Sequence, residues 1–180
     1  VTLKFVLSYP EDETHRKIAE SIQKDWQNLG ADVSLEPVPA DLFVSEKLSS
    51  KGYQAALVDL NFSSSPDPDP YPFWDRSEIS SGQNYSQWDN RVASDILEQA
   101  RTTTDLSERT RLYHNFQAVF AQELPALPLF YPVYNYGINR QVQGVTIGPL
   151  IDTSYRFESV PSWYLVAKRT TDTTETPQTK

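Results

Sequence analysis

The chain has no cysteine, and no apolar run in it approaches the length of a membrane span. The absence of cysteine excludes disulfide bonds, thiol catalysis and zinc–thiolate centres together. It leaves both redox compartments open, because an exported protein with an adequate core needs no disulfide. The sequence starts at Val1 without a signal-peptide pattern. We therefore expect it to be part of a longer protein.

Positive charge is scarce. The 180 residues include 16 Lys and Arg against 24 Asp and Glu, for a net charge of −8. The basic residues are scattered and form no stripe. Because nucleic-acid binding depends mainly on neutralising phosphates, this balance predicts no nucleic-acid partner. The same argument disfavours an anionic membrane surface.

The sequence also lacks common catalytic signatures. No Gly-x-Ser-x-Gly, His-Glu-x-x-His or glycine-rich phosphate loop occurs. The histidines, His15 and His114, fall near the polar faces of predicted helices and are interpreted as solvated. Calcium takes roughly six to eight oxygens from a flexible loop, whereas the proline-stiffened pair Asp67 and Asp69 offers only two carboxylates. We predict a turn there, with no catalytic residue, metal or cofactor in the chain.

The patterns that are present favour an α/β fold. Residues 2–8 and 31–38 read as strands flanking a helix, which together form a βαβ unit with parallel strands. The helix begins at the acidic residues 11–13. Its apolar stripe comprises Ile18, Ile22, Trp26 and Leu29. Residues 53–59 are nearly all apolar, as expected of a strand buried on both faces.

Further helices are predicted at 41–50, 90–101 and 105–123, and short strands at 142–147 and 163–168. The second of these helices should turn Val92, Ile96, Leu97 and Ala100 inward. Residues 126–139 are predicted to be extended. Pro128 and Pro132 cannot donate to a ladder, so this segment is an edge strand or a crossover. We predict a single α/β lobe over 1–168 and a disordered Thr-rich tail over 169–180.

The long loop at 60–89 carries the most information about function. It begins after the buried strand and combines prolines, carboxylates and aromatic rings that fit no regular period. Proline stiffens the backbone, and loops at the ends of strands often form binding sites. Rings also provide a large contact area for a ligand. The candidate ligand-binding residues are Asn61, Ser64, Asp67, Tyr71, Trp74, Tyr85 and Trp88.

Four stretches together resemble the C-terminal lobe of the extracytoplasmic solute-binding proteins of family five. These are the oligopeptide-, dipeptide- and nickel-binding proteins of ABC importers. The stretches are 18–23 with 29–33; 53–57 with Pro66-Asp67-Pro68; 82–85 with Trp88, Asn90, 95–97 and Ala100; and Glu108-Arg109 with Leu112-Tyr113, Gln117 and 123–129. The resemblance covers roughly residues 1–165.

The resemblance implies a periplasmic-binding-protein-like lobe of type II, with a mixed, mostly parallel sheet flanked by helices. Two such lobes close around a ligand like a hinge, and the family performs no chemistry. The implied partners are a peptide or other small solute, the N-terminal lobe of the same protein and an ABC transporter permease. The implied location is periplasmic, or lipid-anchored at the outer face of a bacterial cytoplasmic membrane.

One position departs from the family. Peptide-binding members resemble one another in an Ala-Asp-Tyr before the Pro-Asp-Pro, whose Asp receives the amino terminus of the peptide. Here Ser64 stands at the position of that Asp, and it has no charge to pair with an ammonium group. A sugar, another neutral solute or a nickel chelate therefore stays open beside a peptide. Two other functions also stay open, a sensing domain of a regulatory protein and, less favoured, a hydrolase.

Overall fold

A computed structural model describes residues 2–62, 69–148 and 153–166. Contacts within the chain divide it into two compact units, Val1–Pro128 and Leu129–Lys180, and each unit is described by itself. The expected tail at 169–180 lies outside the described residues. The expectation of a single lobe over 1–168 stays a prediction.

The first unit is built on a small parallel sheet. Strand β1 (Lys4–Pro10), helix α1 (Glu13–Asn28) and strand β2 (Asp32–Val38) form the predicted βαβ unit. The two strands run parallel, with Lys4 opposite Asp32 and Pro10 opposite Val38. Strand β3 (Ala55–Ala56) pairs in parallel with the other side of β1, which gives the order β2-β1-β3. The mixture of helices with a parallel sheet confirms the predicted α/β class.

Helix α1 starts and stops where its sequence directs. The Asp12 side chain accepts hydrogen bonds from the backbone N–H groups of Thr14 (2.9 Å) and His15 (3.0 Å), so it caps the helix. Gly30 follows the helix with a φ of +90°, a conformation that favours glycine. Three residues of the predicted apolar stripe, Ile18, Ile22 and Trp26, pack against the core around Leu7 and Val33. The fourth, Leu29, is 84% exposed.

Helix α2 (Ala40–Leu42) continues as a π-helix over Phe43–Leu48, where the sequence predicted one short helix. Phe43 and Leu48 are buried and pack with Val38, Tyr53 and Tyr85. The predicted loop at 60–89 contains two short helices, α3 (Tyr71–Trp74) and α4 (Glu78–Ser81).

Helices α5 (Arg91–Thr102) and α6 (Leu106–Glu123) complete the first unit. Asn90 and Asp105 cap their N-termini through side-chain oxygens. The two helices pack together around Leu97 and Phe116. Val92 was predicted to face inward, but it is 59% exposed, because only the face carrying Ala93, Leu97 and Ala100 is covered.

The second unit has less regular structure in its described residues. Strands β4 (Val142–Gln143) and β5 (Tyr164–Leu165) pair antiparallel, at the two places where the sequence predicted short strands. Both are shorter than predicted. The residues from 129 to 139 form neither helix nor strand.

Candidate functional site

The candidate site lies at one edge of the parallel sheet. Parallel strands place all their carboxyl ends at the same edge, so the residues after β1, β2 and β3 emerge together. The chain leaving β3 passes through Val58, Asp59 and Asn61 before the proline-rich stretch. Ser64 and Asp67 lie outside the described residues, as do all of residues 63–68.

A histidine ties α1 to this edge. The Nδ1 atom of His15 lies 2.5 Å from Oδ2 of Asp12, and its Nε2 atom lies 3.1 Å from Oδ2 of Asp59. The His15 side chain is only 14% exposed, so the interpretation of a solvated histidine was wrong. The pKa of Asp12 lies below its usual value because His15 donates backbone and side-chain hydrogen bonds to it. His114, by contrast, is exposed as predicted.

A groove of about 820 Å³ opens beside this edge. Its walls come from the π-helix, the chain after β3, helix α3, the segment before Trp88, and helices α5 and α6. The apolar part of its lining includes Val44, Leu48, Val58, Phe62, Pro72, Phe73, Tyr85 and Tyr113. Its polar part includes Asp59, Asn61, Asp69, Gln83, Arg101 and Arg109. The groove therefore combines rings with charges of both signs, as solute sites do.

Of the predicted site residues, Asn61 and Tyr85 line the groove. Tyr85 is firmly held, because the Tyr53 hydroxyl donates a hydrogen bond to its backbone oxygen. The Lys51 ammonium group lies 4.7 Å from the centre of the Tyr85 ring. Burial raises the pKa of the Tyr85 phenol and lowers the pKa of Lys51. The ring is thus presented to the groove in a fixed position.

Tyr71 is half-buried next to groove-lining residues. Its backbone N–H donates to Oδ1 of Asp69 at 3.0 Å, which confirms Asp69 as a turn former. The guanidinium carbon of Arg101 lies 4.2 Å from the centre of the Tyr71 ring, and its Nε lies 3.0 Å from Oδ2 of Asp69. These contacts fasten the end of the proline-rich stretch to the last turn of α5.

Trp74 and Trp88 lie in an aromatic cluster and are absent from the groove lining. The Trp74 ring packs edge-on against Phe120, with 4.8 Å between ring centres. Trp88 is 9% exposed, and its Nε1 donates a 2.7 Å hydrogen bond to Glu123. That bond lowers the pKa of Glu123. The two indoles therefore anchor the loop to α6.

Buried polar groups complete this anchoring. The Asn84 side chain is fully buried, and its amide nitrogen donates to the backbone oxygens of Asp75 and Trp88, each at 3.0 Å. Asp75 is also buried and accepts from the backbone and hydroxyl of Ser77. Burial opposes its ionisation, but these hydrogen bonds outweigh it and leave the pKa of Asp75 below its usual value.

The sequence prediction missed Arg101, Arg109 and Tyr113. They lie on α5 and α6, far along the chain from the loop, and no local pattern marks them as groove residues. Glu108-Arg109 belongs to one of the four stretches that resemble family five, and that resemblance could have pointed to Arg109. Within the described residues, no cluster of three His, Asp or Glu side chains is arranged to hold a metal ion. Nor does any helix there have the length and apolar character that a membrane crossing requires.

Comparison with solved structures gives the class of the fold. An oligopeptide-binding protein, AppA from Bacillus subtilis in complex with a nonapeptide, superimposes with a TM-score of 0.71 over 92% of this chain and 32% of its own, at 19% identity. NikZ from Campylobacter jejuni in complex with Ni(L-His) gives 0.67 over 89% and 33%, at 21% identity. The chain therefore has the fold of part of a type II periplasmic binding protein.

Comparison of sequences gives the relatives. The oligopeptide-binding protein OppA of Bacillus subtilis is 30% identical over 148 residues, 79% of this chain and 26% of the relative. The dipeptide-binding protein DppE of the same organism is 28% identical over 149 residues, 80% of this chain and 26% of the relative. No protein-family model matches. The chain thus spans about a quarter of the length of these relatives.

The resemblance drawn from the four stretches is confirmed. The relatives are peptide- and dipeptide-binding proteins of ABC importers, and the structural neighbours are family-five solute-binding proteins. They are binding proteins and not enzymes, as the missing catalytic motifs predicted. Several relatives are described as periplasmic.

Proposed function

We propose that this chain is the ligand-binding lobe of an ABC transporter's extracellular solute-binding protein. The whole protein would bind a peptide or another small solute between two hinged lobes and deliver it to a permease for import. It would act in the periplasm, or from a lipid anchor at the outer face of the membrane. The observation that carries the proposal is the groove at the carboxyl edge of a parallel sheet, in a chain whose relatives are solute-binding proteins.

Within that groove, Asn61 and Tyr85 are the proposed ligand contacts. The amide of Asn61 would hydrogen-bond the ligand, and the ring of Tyr85 would pack against it. Ser64 and Asp67 are proposed as further ligand contacts. Tyr71, Trp74 and Trp88 would support the site by holding the loop in position. Their partners are Arg101, Phe120 and Glu123, respectively.

A peptide is the leading ligand class, because the relatives include oligopeptide- and dipeptide-binding proteins. The nickel–histidine complex of one structural neighbour is the main alternative. Calorimetry on the whole protein with peptides of different lengths, nickel–histidine and simple sugars would distinguish them. The proposal is abandoned if the folded protein binds none of these.

Two variants at one position test the groove itself. Tyr85→Ala removes the ring and should weaken binding of the ligand found by calorimetry by about 30-fold or more, as expected when a central aromatic contact is lost. Tyr85→Phe keeps the ring and the backbone bond to Tyr53, and should retain most of the affinity. Gln117→Ala, at an exposed site on α6, is the control. Equal affinities for all three variants would place the ligand elsewhere.

A further inference from the structure

The π-helix forms an apolar wall of the groove in the first unit. Val44 and Leu48 line the groove from this helix. Leu48 is 2% exposed and packs in a cluster with Val58 and Tyr85, which also line the groove. Val44 differs from Leu48, because it is 53% exposed. The wall therefore combines a fixed apolar base with one large apolar side chain that is open to solvent.

Two aromatic rings extend the apolar lining. Phe62 and Phe73 pack edge-on, with 5.0 Å between their ring centres. Phe73 is buried, so this pair is also held in place. The groove volume of about 820 Å³ lies within the range of roughly 300–1,000 Å³ that small-molecule sites occupy. The groove thus has room for a large apolar side chain, and covering its lining would remove apolar area from water.

The charges of the groove are balanced. The described part of its lining has two carboxylates, Asp59 and Asp69, and two guanidinium groups, Arg101 and Arg109. Asp59 lies 3.1 Å from His15, and Asp69 lies 3.0 Å from Arg101. Arg109 is also engaged in an interaction within the chain. A charged ligand group that leaves water needs an opposite charge to compensate it, and the described lining has no excess of either sign.

An ion pair attaches the π-helix to the sheet. The Lys47 ammonium group lies 2.6 Å from Oε1 of Glu36, and the Ser8 hydroxyl donates a 2.6 Å hydrogen bond to Oε2 of the same carboxylate. Ser8 belongs to β1 and Glu36 to β2. The pair therefore links the helix that carries Val44 to two strands of the parallel sheet, and so fixes where the apolar wall stands.

We propose that the π-helix forms a subsite for an apolar side chain of the ligand, aromatic or branched aliphatic, and that Val44 determines this preference. Glu36 and Lys47 are positioning residues of the subsite. This inference rests on the proposed function, because it names the class of ligand that the same groove takes. It is also narrower, since a solute-binding protein without this preference would still satisfy the proposed function.

A series of tripeptides tests the preference by calorimetry on the whole protein. The probes are trialanine and the tripeptides in which phenylalanine, lysine or glutamate replaces one alanine, at each position in turn. At one position, phenylalanine should strengthen binding at least about tenfold over trialanine, because it adds apolar area. Lysine and glutamate at that position should bind no more tightly than trialanine.

The outcomes of this series separate the two proposals. Tripeptide binding without a preference for phenylalanine overturns the subsite and leaves the proposed function standing. A stronger gain from lysine or glutamate also overturns the subsite. If no tripeptide binds, the subsite is overturned too, and the wider set of solutes then decides the proposed function.

A substitution at Val44 tests the wall itself. Val44→Asp should weaken binding of the preferred phenylalanine peptide at least about tenfold, and should strengthen binding of the matching lysine peptide. Val92→Asp is the matched control, because Val92 is similarly exposed on α5 and is absent from the groove lining. If Val44→Asp does not fold, Val44→Ala should still weaken the phenylalanine peptide at least about threefold. An unchanged preference in the folded variant overturns the role of Val44.

Two substitutions at Lys47 test the positioning pair. Lys47→Met removes the ion pair and should lower the ratio of the affinities for the phenylalanine peptide and trialanine at least about threefold. Lys47→Arg keeps the charge and should retain the ratio. Partial unfolding reduces the binding of both peptides equally, so it does not change this ratio. The same ratio in Lys47→Met as in the parent overturns the role of the pair.

Discussion

Helix α5 offers a sharp test of the packing that supports the groove, because two of its apolar residues have opposite environments. Leu97 is fully buried against α6, whereas Val92 is 59% exposed on the same helix. The sequence pattern treats both as core residues. We predict that Leu97→Ala destabilises the protein strongly and that Val92→Ala does not.

The size of each effect follows from burial. Leu97→Ala removes apolar volume worth about 2 kcal/mol by transfer, and the cavity left in a cluster with Trp88, Ala93 and Phe116 raises the cost to about 3 kcal/mol. Val92→Ala removes little buried area and gains helix propensity of up to about 0.6 kcal/mol, because alanine replaces a β-branched residue. We therefore expect Val92→Ala to be neutral or slightly stabilising.

Urea unfolding followed by tryptophan fluorescence is a suitable assay, because Trp74 and Trp88 belong to the affected cluster. The midpoint should fall clearly for Leu97→Ala at an unchanged slope, and hold or rise for Val92→Ala. Similar losses for both variants would refute the orientation of α5. A loss below about 1 kcal/mol for Leu97→Ala would refute its tight packing against α6.

Two further predictions concern polar groups. Asn84→Ala should lower the free energy of unfolding by about 2–3 kcal/mol, because it leaves the buried backbone oxygens of Asp75 and Trp88 unsatisfied. Urea unfolding measures this loss, with the exposed variant Gln87→Ala as the control. Equal stabilities of the two variants would contradict the prediction. The Glu36 carboxylate accepts hydrogen bonds from Lys47, which has the larger effect, and from Ser8. Both hydrogen bonds lower the pKa of Glu36 in the folded protein. The stability that Glu36 contributes to the folded protein is therefore present above its pKa in the unfolded chain. It is lost as the pH falls through its lower pKa in the folded protein. Glu36→Gln should be less stable than the parent at pH 7, with the gap closing toward pH 3; a gap that does not depend on pH would argue against the pair.

Much of the fold was predictable because its signals are local. The βαβ unit follows from two apolar strands, an amphipathic helix and Gly30, all of which act within a few residues. The length of β3 was not predictable, since pairing with β1 ends at Ala56 although the apolar pattern continues to Val58. The orientation of Val92 depends on which face α6 covers, and that is a property of tertiary packing.

The candidate site, like the fold, was only partly predictable from the sequence. Asn61 and Tyr85, which line the groove, were singled out because they lie in a loop whose composition marks it. That composition gave the same prominence to Trp74 and Trp88, yet the structure uses these rings to attach the loop to α6. Nothing in a one-dimensional pattern separates a ring that faces a groove from one that faces the core. His15 was misjudged for a related reason, since its partner Asp59 is 44 residues away in sequence.

The carboxylates of the groove already have partners, and this affects how much each kind of contact would contribute to ligand affinity. Asp59 already pairs with His15, and Asp69 already pairs with Arg101. The Asp69 carboxylate uses one oxygen on the Tyr71 backbone and the other on Arg101, so a ligand ammonium group would compete there with contacts that hold α3 in place. The Asp59 side chain is 80% exposed, and an ion pair formed in water contributes little net free energy. Contacts with the rings and aliphatic walls remove apolar area from water, so contacts with Phe73 and Tyr85 should contribute more to affinity than contacts with either carboxylate.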